Sequence, residues 1–137
     1  VLVNTYLNFD GNCEEAFNFY EKLLGGRIVA MVRHGGTPMA AHVPLEQHNQ
    51  ITHARMFIGT QVLMGSDSPS QRHTAPQGFA VSISVDEPAD AERIFAGLSE
   101  AGTVRMALQE TFWARKFGMV TDRFGIPWMV NCESPPA

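Results

Sequence analysis

Three groups of side chains in this 137-residue chain have the composition to do chemistry. In the run THARMFIG, His53 and Arg55 stand two apart, so a strand would point both to one face. An imidazole beside a guanidinium suits an anion such as carboxylate or phosphate. The alternative for this pair is a half-exposed place on a strand edge with no ligand. The stretch LQETFWARKFG is denser in function-bearing groups. Gln109, Glu110 and Thr111 bring polar groups, Phe112 and Trp113 aromatic faces, Arg115 and Lys116 charge. Beside a cleft, such a loop would close over a ligand, with Trp113 stacking and Glu110 acting as acid or base. Against a second copy of the chain, the same Trp and Arg would serve as interface anchors. Glu110 and His53 are the two candidates for a general base. The third group is a methionine: in MVTDRFGIPWMVNCE, Met129 falls mid-strand on the face opposite Trp128 and Val130.

Other reactive types are poorly placed. His34, His42, His48 and His73 fall in or near polar loops and read as solvated. His42 and His48, with Glu46 between them, match no metal spacing. No serine carries a nucleophile motif with a partnered base. Gly25-Gly26 and Gly35-Gly36 are turn glycines rather than phosphate loops. Cys13 and Cys132 stand in no redox or metal spacing and read as small buried hydrophobes.

Composition narrows the partners. A formal net charge of −4 argues against nucleic acid, whose partners usually carry a basic stripe. No apolar run approaches the roughly 20 residues that span a bilayer, and the chain opens without a signal-peptide pattern. With two isolated cysteines and no sign of an oxidising compartment, the cytoplasm is the expected location.

The elements that must position these groups occur twice. LVNTYLNF alternates as a strand, and Asp10-Gly11 breaks it. Asn12 with Glu15 has the form of a capping box, and Ala16, Phe17, Tyr20, Leu23 and Leu24 recur at helical spacing until Gly25-Gly26. RIVAMVR is a second strand, and THARMFIG with QVLMGSD makes a hairpin turning at Gly59-Thr60. After a seam from about Ser66 to Gln77 the order repeats. FAVSISV is a strand, Pro88 opens a helix with Ala91, Ile94, Phe95 and Leu98 inward, TVRMAL follows, and KFGMVTD/IPWMVN closes as a hairpin about Asp-Arg-Phe-Gly. Each half therefore reads strand, helix, strand, strand, strand, a repeat of pattern rather than identity.

One helix can cover only one face of four strands. Phe79, Val81, Ile83 and Val85 oppose Ala80, Ser82 and Ser84. Val3, Leu7 and Phe9 oppose Asn4, Tyr6 and Asn8, while Ala54, Met56 and Ile58 oppose His53, Arg55 and Phe57. The apolar faces should pack under the helices, the usual α+β economy. The other faces, carrying Tyr6, Phe57, Met64 and Met129, are expected to line a cleft or partial barrel.

This pattern, with the local runs YLNFDGNCEEAFNFYEKLLGG, THARMFIGTQVLMGSD and LQETFWARKFGMVTDRFGIPWMVNCE, resembles the vicinal oxygen chelate superfamily of glyoxalases, bleomycin-resistance proteins and extradiol dioxygenases. Within it the runs are similar to the PhnB-like branch, over essentially the whole chain. The resemblance implies an α+β fold of two tandem βαβββ modules, residues 1–67 and 78–133, in a single domain. It also implies a homodimer. Metal-dependent members place ligands on the first and fourth strands of each module. Those positions match Asn4, Met64, Ala80 and Met129 here. An amide, two thioethers and a methyl do not hold a hard divalent ion, and shifting the alignment by one residue brings in no His or Glu. No strand–glycine-loop–helix unit is present to cradle a nucleotide-like cofactor, which argues against the ubiquinone-biosynthesis methyltransferase label that some similar proteins carry.

The expectation is a metal-free small-molecule-binding protein without cofactor. Its ligand would be met by Asn4, Tyr6, His53, Arg55, Met64, Ser82, Trp113 and Met129. The rival expectations are an enzyme using Glu110 or His53 as base without a metal, and a metal-dependent lyase or dioxygenase of the glyoxalase type.

Overall fold

The computed structural model describes residues 1–68 and 72–133; residues 69–71 of the expected seam lie outside them. The chain divides into two compact units, 1–74 and 75–137. No helix among the described residues is long and apolar enough to cross a membrane.

The first unit runs β1 (Thr5–Phe9), α1 (Cys13–Leu24), β2 (Arg27–Arg33), β3 (Ile51–Ile58) and β4 (Gln61–Asp67). Its sheet has the order β1-β4-β3-β2, with β1 parallel to β4 and the other pairs antiparallel. The inward stripe of α1 is Cys13, Ala16, Phe17 and Tyr20, all fully buried. That spacing places the four on one face of the helix. They share the core with Leu7, Phe9, Ala54, Met56 and Leu63, and Phe9 meets Phe17 edge-on with ring centroids 6.0 Å apart. Burying each large side chain contributes about 1.5–3 kcal/mol. Gly65 permits the close fit: a Cβ there would stand 2.9 Å from Phe17 Cε1 and 3.0 Å from the Leu7 carbonyl oxygen.

The start of α1 departs from the capping-box expectation. The Asn12 side chain makes no cap, and its Oδ1 is buried without a partner among the described residues. The buried carboxylate of Asp67, at the end of β4, accepts from the Cys13 N–H at 2.9 Å and from the Ile51 N–H at 2.8 Å. A residue distant in sequence thus ties the helix start to the entry of β3. At the other end Gly25 takes the left-handed conformation, as the Gly-Gly pair implied.

Between β2 and β3 the chain makes three short 3₁₀ turns, at His34–Gly36, Pro38–His42 and Leu45–Gln47. His48 is not solvated as expected. It is half-buried, and its Nε2 lies 3.0 Å from both the Ala40 and Val43 carbonyl oxygens. His73 is half-buried too, with its Nδ1 unmet among the described residues.

The second unit runs β5 (Val81–Val85), α2 (Pro88–Ser99), β6 (Thr103–Gln109), β7 (Ala114–Thr121) and β8 (Pro127–Glu133), in the sheet order β5-β8-β7-β6. Pro88 occupies the first helical position. Ala91, Ile94, Phe95 and Leu98 face a core containing Trp128, Val130, Cys132 and Val120. The turn between β7 and β8 is organised by Asp122, which is 4% exposed. Its Oδ1 accepts from the N–H groups of Phe124 and Ile126, each at 2.9 Å, and its Oδ2 accepts from Trp128 Nε1 at 2.8 Å. Cys13 and Cys132 are both buried free thiols.

Candidate functional site

Each sheet has one face under its helix and one turned away, and the candidate residues stand on the second. In the first unit the register aligns Tyr6 with Met64 and Met64 with Arg55. In the second it aligns Ser82 with Met129, Met129 with Met119, and Met119 with Met106. The two rows are counterparts in the repeat. They bring together most of the residues named from sequence within each sheet, but the rows differ in chemistry.

The first row and its neighbours are cationic and aromatic. Tyr6, 42% exposed, stacks on His53 with centroids 6.0 Å apart. Its hydroxyl lies 3.5 Å from His53 Nδ1, the outer limit of a hydrogen bond. The Arg55 guanidinium sits 5.4 Å from the centre of Phe57, and Arg27 approaches the same ring at 6.0 Å. The Arg55 Nε is buried and meets no hydrogen-bond partner among the described residues.

The second row is soft and apolar. A hollow of about 530 Å³ within this unit is lined by Phe79, Ala80, Arg105, Met119, Thr121 and Met129 among others. A β-bulge between Val104 and Met106 brings two consecutive residues alongside this face. Arg105 donates its Nε–H to Thr121 Oγ1 at 3.2 Å while Met106 pairs with Met119. Trp113 is 47% exposed and packs edge-on against Phe117, centroids 5.5 Å apart, on the same strand face as Met119. Asn131 adds a buried Oδ1 with no partner among the described residues.

Several sequence expectations are corrected. Asn4 lies before β1 rather than on it, and Val3, expected in the core, is 93% exposed. Phe79 and Ala80 likewise precede β5, and Phe79, expected under α2, is 55% exposed and lines the hollow instead. In both cases the parallel partner strand limits the pairing: β1 finds β4 only from Thr5↔Leu63, and β5 finds β8 only from Val81↔Trp128. Glu110 stands exposed just beyond β6. Arg105, Met106, Met119 and Thr121 were missed. Met119 was legible from alternation with Phe117, whereas Arg105 was not, because a bulge breaks the period of two.

The four positions that would carry metal ligands keep their unsuitable chemistry. The first unit offers the Asn4 amide and the Met64 thioether, the second the Ala80 methyl and the Met129 thioether. These donors do not fit a hard divalent ion. No cluster of three or more His, Cys, Asp or Glu occurs among the described residues. Cys13 is no substitute: burial first, then the Asp67 and Glu14 carboxylates, push its thiol up to about 12, so it stays protonated.

Two four-stranded sheets of the same order, each with one helix and one bare face, define an α+β protein built from a repeated βαβββ unit. Residues 3–130 match the Glyoxalase/Bleomycin resistance protein/Dioxygenase superfamily, and the chain belongs to it. Among particular relatives, the chain is 34% identical to Protein YjdN of Escherichia coli (strain K12), covering 94% of this chain and 93% of that one. Among solved structures it is similar to protein PA1353 from Pseudomonas aeruginosa, with TM-score 0.89 and 44% identity over 98% of this chain and 99% of the other. It shares the fold of a PhnB protein from Bacillus cereus, with TM-score 0.82 and 24% identity over 96% and 99% of the two chains.

Proposed function

We propose that this chain is a PhnB-like small-molecule-binding protein whose ligand is held on a sheet face turned away from its helix, without a divalent metal. One observation carries the reading. The bare face of the second sheet presents Met106, Met119 and Met129 side by side, and the adjoining hollow of about 530 Å³ is lined by no carboxylate and no imidazole. Methionine is flexible and polarizable, so such a wall adapts to an apolar or aromatic body. A hollow of this size falls in the range of small-molecule sites. Ser82 and Asn131 supply hydrogen bonds on that face, and Trp113 offers a stacking surface at its end. The bare face of the first sheet, with Tyr6, His53, Arg55 and Met64, is more polar. Glu110 stands exposed just beyond β6, off the methionine row, and gives no support to the general-base rival. The same reading has the chain working as a homodimer in the cytoplasm, with Phe112, which is 96% exposed, as an interface anchor.

The test pairs metal analysis with ligand screening. Elemental analysis and titration with Zn²⁺, Mn²⁺ and Mg²⁺ should find no stoichiometric site, while a thermal-shift screen of metabolites should find compounds that raise the melting temperature. A bound divalent ion at one per chain would overturn the metal-free part of the reading. A screen without a single stabilising compound would overturn the binding part.

A further inference from the structure

We infer that the bare face of the first sheet binds an oxyanion, carboxylate or phosphate, with Arg55 as its charge anchor. The inference rests on the small-molecule reading above and gives the ligand its charge. Arg55 projects from the middle of a central strand, flanked across the ladder by Met64 and Ala30. It is half-buried, and its Nε is wholly buried and unmet among the described residues. No carboxylate pairs with it among the described residues, and no strand residue of that face is acidic.

A guanidinium with a donor left unmet is costly, and native proteins seldom leave one unexplained; because the Nε is itself closed off, a ligand would meet this side chain through the part that remains exposed. The Phe57 ring 5.4 Å away does not resolve it. A cation–π contact uses the flat face of the guanidinium, whereas its N–H donors lie in the guanidinium plane. Those in-plane donors form a fork that fits carboxylate or phosphate oxygens. The same sheet face carries further groups able to donate, the Tyr6 hydroxyl and the His53 imidazole, 3.5 Å apart. Arg27, 6.0 Å from the centre of the Phe57 ring, adds a second positive charge. The face is therefore cationic within a chain of net charge −4.

Heteronuclear NMR of the whole chain tests this with three probes: benzoate, its neutral counterpart benzamide, and inorganic phosphate. Benzoate, phosphate or both should shift the amides of Tyr6, His53, Arg55 and Met64 saturably, the pattern telling a planar from a tetrahedral oxyanion. Benzamide should not shift them. Arg55→Gln should weaken the effect at least tenfold while leaving the unfolding midpoint within error of the parent. Should that variant fold poorly, Arg55→Lys keeps the charge but loses the fork, and benzoate binding should still fall severalfold. Equal binding of benzamide at these residues, or unchanged benzoate and phosphate binding in Arg55→Gln, overturns the oxyanion site. A metabolite that binds the second unit while both anions leave the first unmoved also overturns it, and leaves the small-molecule reading standing.

Discussion

The Asp122 turn allows a stability prediction whose size follows from counted bonds. One carboxylate accepts from two backbone N–H groups and from the Trp128 indole, all three buried. Asp122→Ala removes every acceptor at once. Each stranded donor costs about 1–3 kcal/mol, so a loss of about 3–9 kcal/mol is expected. That is a large share of the roughly 5–15 kcal/mol that holds a domain together. Asp122→Asn is the more discriminating change. An asparagine keeps one acceptor oxygen for the two backbone groups, but its NH₂ then faces the indole N–H. The flipped orientation is worse, since it points that NH₂ at two backbone donors. With Trp128→Phe the opposing donor is gone, so Asp122→Asn should cost about 1–2 kcal/mol less in that background. Urea unfolding of the four proteins in this double-mutant cycle reads the coupling directly. Additivity within about 0.5 kcal/mol would refute the account of the turn. The consequence reaches the site, because this turn sets the Met119↔Met129 register. A slip of one residue would move every side chain of β8 to the opposite face.

Two further predictions concern the cores. Gly118→Ala places a Cβ 2.6 Å from Phe95 Cε2 and 3.0 Å from the Leu108 Cα, so neither side yields freely; a loss of about 1–3 kcal/mol in chemical unfolding is expected, while Gly36→Ala, with nothing within 4 Å, should be near neutral. The Cys13 thiol, held up to about 12 in the fold against 9.0 as its ordinary value, stays protonated where the unfolded chain ionises. The folded state therefore binds the extra proton, and this contribution is fully present below about pH 9 and lost as pH rises toward 12, on the order of 4 kcal/mol over the window. Cys13→Ser should flatten that alkaline slope in unfolding measured between pH 8 and 11, and an unchanged slope would refute it.

The helices were legible because their signals are local. Ala16, Phe17 and Tyr20 in α1, and Ala91, Ile94, Phe95 and Leu98 in α2, recur at helical spacing and are buried as that spacing requires, while Leu23 and Leu24 at the end of the α1 stripe are half-buried. The alternation of Trp128, Val130 and Cys132 against Met129 and Asn131 was equally local. The cap of α1 was not: Asn12 and Glu15 have the right spacing, but the Asp67 carboxylate arrives from another strand and takes the Cys13 N–H. The ends of β1 and β5 were overdrawn for a related reason. Apolar alternation continues through Val3 and Phe79, but a strand lasts only as long as its partner offers hydrogen bonds.

By itself the sequence determined the order of elements, which face of each strand is apolar, and the lack of hard donors at Asn4, Met64, Ala80 and Met129. These follow from side-chain types and from periods of two and about four, which need no knowledge of distant residues. Tertiary structure alone decided that Met106, Met119 and Met129 form one row, that Arg105 reaches Thr121 beside them, and that Arg55 has a buried donor unanswered among the described residues. Register across strands and the burial of one atom depend on pairing partners far apart in the chain, and no local pattern encodes them.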